Sequence, residues 1–179
     1  MSHEYRQFLL LIATCILGIL LAAPYARAEG QTLKTIAILD FDLLDDQHEL
    51  APANVEYRRL DALRDQLEQE IAGNGLYEVI DRRPASAMIQ KYRSETQLYM
   101  CNGCELTIAR SLGADRVMVG WVQKVSNLIL NINIQIEDVK TGEILLRKSV
   151  DLRGNTDQTW SRGMSYLVRS MVEKGQGNR

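Results

Sequence analysis

The stretch "NLILNINIQIED", residues 127–138, alternates so strictly that it dictates much of what the chain can become. Leu128, Leu130, Ile132, Ile134 and Ile136 share one parity; Asn131, Asn133, Gln135 and Glu137 share the other. Successive side chains of an extended chain point to opposite faces, so this is a strand with one apolar face and one amide-rich face. "KTGE", Lys140 to Glu143, marks a turn, and "ILLRKSVDLRG" returns as the hairpin partner. An apolar sheet face must be covered, so the rest of the chain has to supply the cover.

It supplies helices and further strands. "TIAILDF", Thr35 to Phe41, is a continuous apolar run that suits a strand buried on both faces. A polar loop with "DDQHE" follows as far as Pro52. Leu60, Leu63, Leu67 and Ile71 then recur at helical spacing, and "GNG" at 73–75 stops that helix. "YEVID" is a short strand, and Pro84 opens a second helix with Met88, Ile89 and Tyr92 inward. A third helix starts at the cysteine segment, with Leu106, Ala109 and Leu112 inward and Gly113 as its stop. "RVMVGWVQKV", Arg116 to Val125, is apolar on both alternations and reads as a central strand. A final helix follows Asn155–Thr156, with Trp160, Met164, Leu167, Val168 and Met171 on one stripe. The expectation is a single α/β domain with a mixed five-stranded sheet. Its first half is parallel βα, its second half an antiparallel hairpin, and its helices pack on the sheet.

The N-terminus bounds the compartment. An apolar run from Phe8 to Pro24 is followed by "ARA", Ala26 to Ala28, with small residues where signal peptidase reads. Residues 1–28 are therefore expected to be a signal peptide cleaved after Ala28, leaving a periplasmic domain over 29–179. Membrane association would require that the segment be retained. Losing Glu4, Arg6 and Arg27 takes Lys plus Arg from 21 to 19 and Asp plus Glu from 23 to 22, a net charge of −3. With no basic block and no aromatic-basic interleaving, nucleic acid is excluded as a partner class.

Four motifs, "TIAILDFD", "GLYEVIDRR", "LGADRVMVGWV" and "INIQIEDVKTGEILLRKSVD", resemble the N-terminal domain of TolB. They also resemble the periplasmic domains of the curli-secretion lipoprotein and of penicillin-binding-protein activator lipoproteins. More specifically, "CNGCE", "LGAD", "GWVQKVSNLILNIN" and "RGNTDQTWSRG" are similar to signatures of a family of small secreted bacterial proteins of unknown function. The resemblance covers nearly all of the chain beyond the leader and implies this fold and a periplasmic location. It also implies an adaptor role beside a periplasmic enzyme or envelope assembly system, quinoprotein alcohol oxidation among them, with another periplasmic or envelope protein as partner. It implies no assigned activity.

Cys101 and Cys104 are the cysteines that remain after leader removal, and an even count in an oxidising compartment favours a disulfide between them. Glu105 stands where haem attachment would need His, and zinc would need ligands beyond two cysteines and His48. A redox pair stays open, because a helix N-terminus stabilises thiolate. The sequence around the pair lacks the thioredoxin pattern: no aromatic residue immediately precedes Cys101, and neither Pro52 nor Pro84 faces the pair in an obvious way. The alternative function is thus a thiol–disulfide protein attacking through Cys101 and resolving through Cys104.

Asp40 and Asp42 follow a buried strand, at the end where α/β ligands bind. Asp-x-Asp is also the spacing of haloacid-dehalogenase phosphatases, but Leu44 replaces the expected Thr or Val and no later Asp pair follows a strand. Asn131, Asn133 and Gln135 are the better partner surface, because uncharged amides bind without a desolvated charge. Trp121 and Trp160 read as core, and Arg82 and Arg83 as pairing with nearby acids. No catalytic set, cofactor or metal site is expected: His48 is the one histidine beyond the leader, and it sits in a polar loop.

Overall fold

In the computed structural model, residues 32–46 and 53–176 are described. The proposed leader and His48 lie outside them. Six strands form one mixed sheet. They are β1 (Thr35–Ile38), β2 (Asp42–Asp45), β3 (Glu78–Val79), β4 (Arg116–Ser126), β5 (Ile129–Asp138) and β6 (Ile144–Arg153). Among the described residues four α-helices accompany them: α1 (Ala53–Gly73), α2 (Ser86–Glu95), α3 (Cys104–Ser111) and α4 (Asp157–Gln176). The strand order is β3-β1-β4-β5-β6, with β2 also on β4. β1 is parallel to β3 and β4, while β4, β5 and β6 run antiparallel in turn.

The sheet therefore has six strands where the sequence suggested five, because the first apolar run and the start of the "polar loop" are two strands on one partner. β1 pairs Ile38 with Met118, and β2 resumes with Asp42 on Trp121. Four steps on one side match three on the other, so Leu39–Phe41 holds one extra residue. That bulge inverts the facing of the next residues. Ile36 and Ile38 join one core cluster and Ala37 and Leu39 the other; beyond the bulge Phe41 and Leu43 join the first. Gly120 makes room for Phe41: a Cβ there would lie 2.3 Å from the ring.

Two cores, one on each sheet face, account for the burial pattern. The first is built from α1 (Leu60, Leu63, Leu67, Ile71), α4 (Trp160, Met164, Leu167, Val168, Met171) and Leu130, Ile132, Ile134 and Ile136 of β5. The second packs Ile89 of α2 and Ile108 and Ala109 of α3 on Ala37, Leu39, Val117 and Val119. The stripes of α1 and α4 and the β5 alternation thus sit where periodicity put them, whereas α3 buries Ile108 with Ala109 and leaves the expected Leu106 and Leu112 half-buried. Leu128 is the departure: it precedes β5 and is exposed. Gly75 and Gly113 take positive φ beyond α1 and α3, which is why those stops are glycines.

Candidate functional site

The second core covers only part of its sheet face. α2 and α3 lie over β1, the first half of β4 and the end of β5 at the buried Glu137, and the face stays open across the rest of β4, β5 and β6. Cross-strand rows on the open part run Trp121–Asn133–Ser149 and Gln123–Asn131–Asp151. Asn131, Asn133 and Gln135, the predicted amide row, are half-buried here. They bond to one another and to their neighbours: Asn133 donates to Asn131 at 2.6 Å, Gln135 to Glu137 at 2.7 Å, and Arg147 to Gln135 at 2.6 Å. Burial pushes the Glu137 carboxyl above its usual range; the Gln135 bond opposes that and the charge of Glu105 adds to it.

An aromatic platform borders this row. Tyr99 stacks on Trp121 with ring centroids 4.7 Å apart. Trp160 is core as expected, whereas Trp121 is half-buried on the open face. Met100, 59% exposed, and Ile129, 43% exposed, add apolar area nearby. Tyr99 and Met100 belong to a 3-10 turn, Leu98–Met100, that Asp42 holds in place by accepting the Tyr99 N–H at 3.2 Å. Burial raises the Asp42 pKa; the Tyr99 N–H and Arg93 pull it the other way.

Asp40 lies apart from this face. It is buried among Arg64 (2.8 Å), Arg82 (2.7 Å) and Arg93 (3.2 Å), contributed by α1, the loop after β3, and α2. Arg82 thus pairs inward and Arg83 pairs with Asp81 at 2.8 Å. Asp40 acts as the anionic post to which three elements are tied, and both its oxygens are engaged.

Cys101 and Cys104 form a disulfide, with Cα atoms 5.5 Å apart. Cys101 is half-buried and Cys104 buried. Asn102 and Gly103 both take positive φ to close the loop, which explains the Asn-Gly between the cysteines. Glu105 is buried beside them, its Oε2 accepting the Gly103 N–H at 3.0 Å and lying 3.0 Å from Cys101 Sγ. Among the described residues, Cys101, Cys104 and Glu105 are the one cluster with metal-ligand spacing, and its two sulfurs are bonded to each other.

Sequence reasoning missed Lys124. It is 0% exposed and pairs with Glu56 at 2.9 Å and Asp45 at 3.1 Å. Burial works against its ammonium, but the bonds and charges of Glu56 and Asp45 win and raise its pKa. Glu56 also accepts from Asn155 (2.9 Å), whose carbonyl accepts from Trp160 Nε1 and from Arg59, both at 3.0 Å. The Asn155 amide reaches Asn127 as well, at 3.2 Å. That explains "GNTDQTW": Asn155 is a fully used amide joining α1, α4 and the β4–β5 turn. Thr156 and Thr159 cap α4 reciprocally.

The geometry defines a class: a three-layer α/β domain with a half-uncovered sheet and engaged buried carboxylates. The fold is shared with LpoB of Escherichia coli, whose NMR structure matches with a TM-score of 0.50 at 16% identity, over 70% of this chain and 60% of that one. Also similar are the LpoB C-terminal domain from Salmonella enterica (TM-score 0.48, 19% identity, 70% and 87% covered) and lipoprotein GNA1162 from Neisseria meningitidis (0.49, 14%, 79% and 95%). By its sequence, the chain belongs to the family described as "Protein of unknown function (DUF2380)", whose model matches residues 34–172. No curated protein matches it.

Proposed function

We propose that this protein is a non-enzymatic binding module of the bacterial envelope, exported by cleavage after Ala28. It would present the open half of its sheet to another periplasmic or envelope protein and serve as an adaptor to an assembly or enzyme system. The observation that carries this reading is the pairing of a half-buried amide row with the Tyr99–Trp121 platform on a face that the helices leave uncovered. Interfaces favour this composition: aromatic anchors set in uncharged polar surroundings. The location rests on the leader sequence; no helix of the described residues is long and apolar enough to cross a membrane. Asn133→Arg places a long charge in the centre of the face, and Gln69→Arg places one at an exposed position of α1. The first variant should lose the partner that co-purifies with the wild type from the envelope, and the second should keep it, with unchanged melting temperatures. Equal retention by both would count against the face.

The thiol–disulfide alternative makes a different demand on Glu105. In a reduced pair its carboxylate would favour the protonated Cys101 thiol, and a thiol attacks poorly. The pair reads as a brace at the start of α3, and its reduction potential is expected to be measured below about −300 mV. A potential in the range of the catalytic oxidoreductases, about −270 mV or above, would restore the redox reading.

A further inference from the structure

We infer that β6 is a docking edge for a second copy of this chain, joined antiparallel about a two-fold axis through Ser149. β6 ends the sheet, so one side of its backbone has no strand partner among the described residues. Its hydrogen-bond phase is fixed at one end: Gly154 N–H donates to Leu128 O at 3.1 Å in the register that pairs Ile129 with Arg153. Antiparallel pairs alternate, so Leu152, Val150 and Lys148 direct their backbone groups to β5. Arg147, Ser149, Asp151 and Arg153 direct theirs outward, and all four are exposed.

The charges on this edge complement themselves. In a two-fold pairing centred on Ser149, each Arg147 falls opposite the other copy's Asp151, in a bonded pair on the open face. Asp151 makes no side-chain hydrogen bond or ion pair among the described residues of its own chain. Arg147 uses Nε on Gln135 and keeps its other N–H groups for the partner. Natural edges are ordinarily protected by bulges, Pro or a run of charge. Here the β5–β6 bulge lies at the far end, between Ile136 and Glu137, and residues 147–153 are regular and carry both signs.

Apolar surface lies on the same margin. A groove of about 390 Å³ runs between β6 and α4, bounded by Val150, Leu152, Gly163 and Tyr166, and Tyr166 is 59% exposed. A lasting interface needs more than a row of backbone bonds, on the order of 1,200–2,000 Å² of buried surface. The tyrosine of each copy stands where it can fill the seam. The dimer would double the open face, since the rows ending at Ser149 and Asp151 continue into the second sheet.

Sedimentation equilibrium of the exported protein tests this with Arg147→Asp, Asp151→Arg and the double exchange. The wild type should be a dimer, and each single variant should dissociate at least about tenfold more readily, because like charges then face across the seam. The double exchange should return the affinity to within about threefold, since it rebuilds both pairs with signs reversed. Ser149→Cys should also be joined to its copy by a short bis-maleimide, while Glu78→Cys on the opposite edge should not. A wild type that is monomeric at about 100 µM overturns the proposal. So do folded single variants that dimerise like the wild type, or a folded double exchange that stays apart. The outcome is independent of the partner-binding reading, which Asn133→Arg tests on its own.

Discussion

Lys124 carries a full charge in an environment with no solvent contact. Removing one member of a buried ion cluster strands the others, so Lys124→Met should cost about 3–5 kcal/mol in urea unfolding. Because its folded pKa is raised above 10.5, its contribution is complete below that value. It is lost as pH rises through the folded pKa, so the gap between wild type and variant should hold from pH 7 to 10 and narrow above. Asp115 has the opposite sign. Its carboxylate accepts the Thr35 N–H at 3.1 Å, and that bond depresses its pKa below 3.8. Its contribution is present above that value and fades as pH falls through the folded pKa. Asp115→Asn should therefore flatten stability between pH 4 and 2. Parity alone could have placed Lys124, which shares the phase of Met118 and Val122; its charge hid it. Asp40 could not be placed that way, because its three arginines come from distant parts of the chain.

Elements were legible wherever one periodicity ran unbroken. The stripes of α1 and α4 and the alternation of β5 each state a face, and burial follows that face. The first apolar run was legible as a strand, but its continuation as β2 beyond the extra residue at Leu39–Phe41 was not, because Asp42, Asp45 and Asp46 read as a polar loop. Gly120 is the signature of that bulge, visible once Phe41 is placed. Gly120→Ala should destabilise by about 1–3 kcal/mol, since its Cβ would meet the Phe41 ring at 2.3 Å. Adding Phe41→Leu should recover part of the loss, which a double-mutant cycle by chemical denaturation would show. "GNTDQTW" was legible as a helix cap; the buried partners that Asn155 joins were not.

For the molecule as a whole, the sequence reached the layered α/β architecture and named the amide row. It could not show which half of the second sheet face the helices leave open. That depends on α2 and α3 reaching β5 only at its end, beside the buried Glu137, and on Tyr99 stacking on Trp121 at the boundary. The account stands on this open face being where a protein partner sits. A photo-reactive amino acid at Asn133, in the living cell, tests it most directly, with the exposed Gln69 of α1 as the control position. The account predicts one discrete protein adduct from position 133 that position 69 does not give. No adduct at 133, or the same adduct at both, would contradict it.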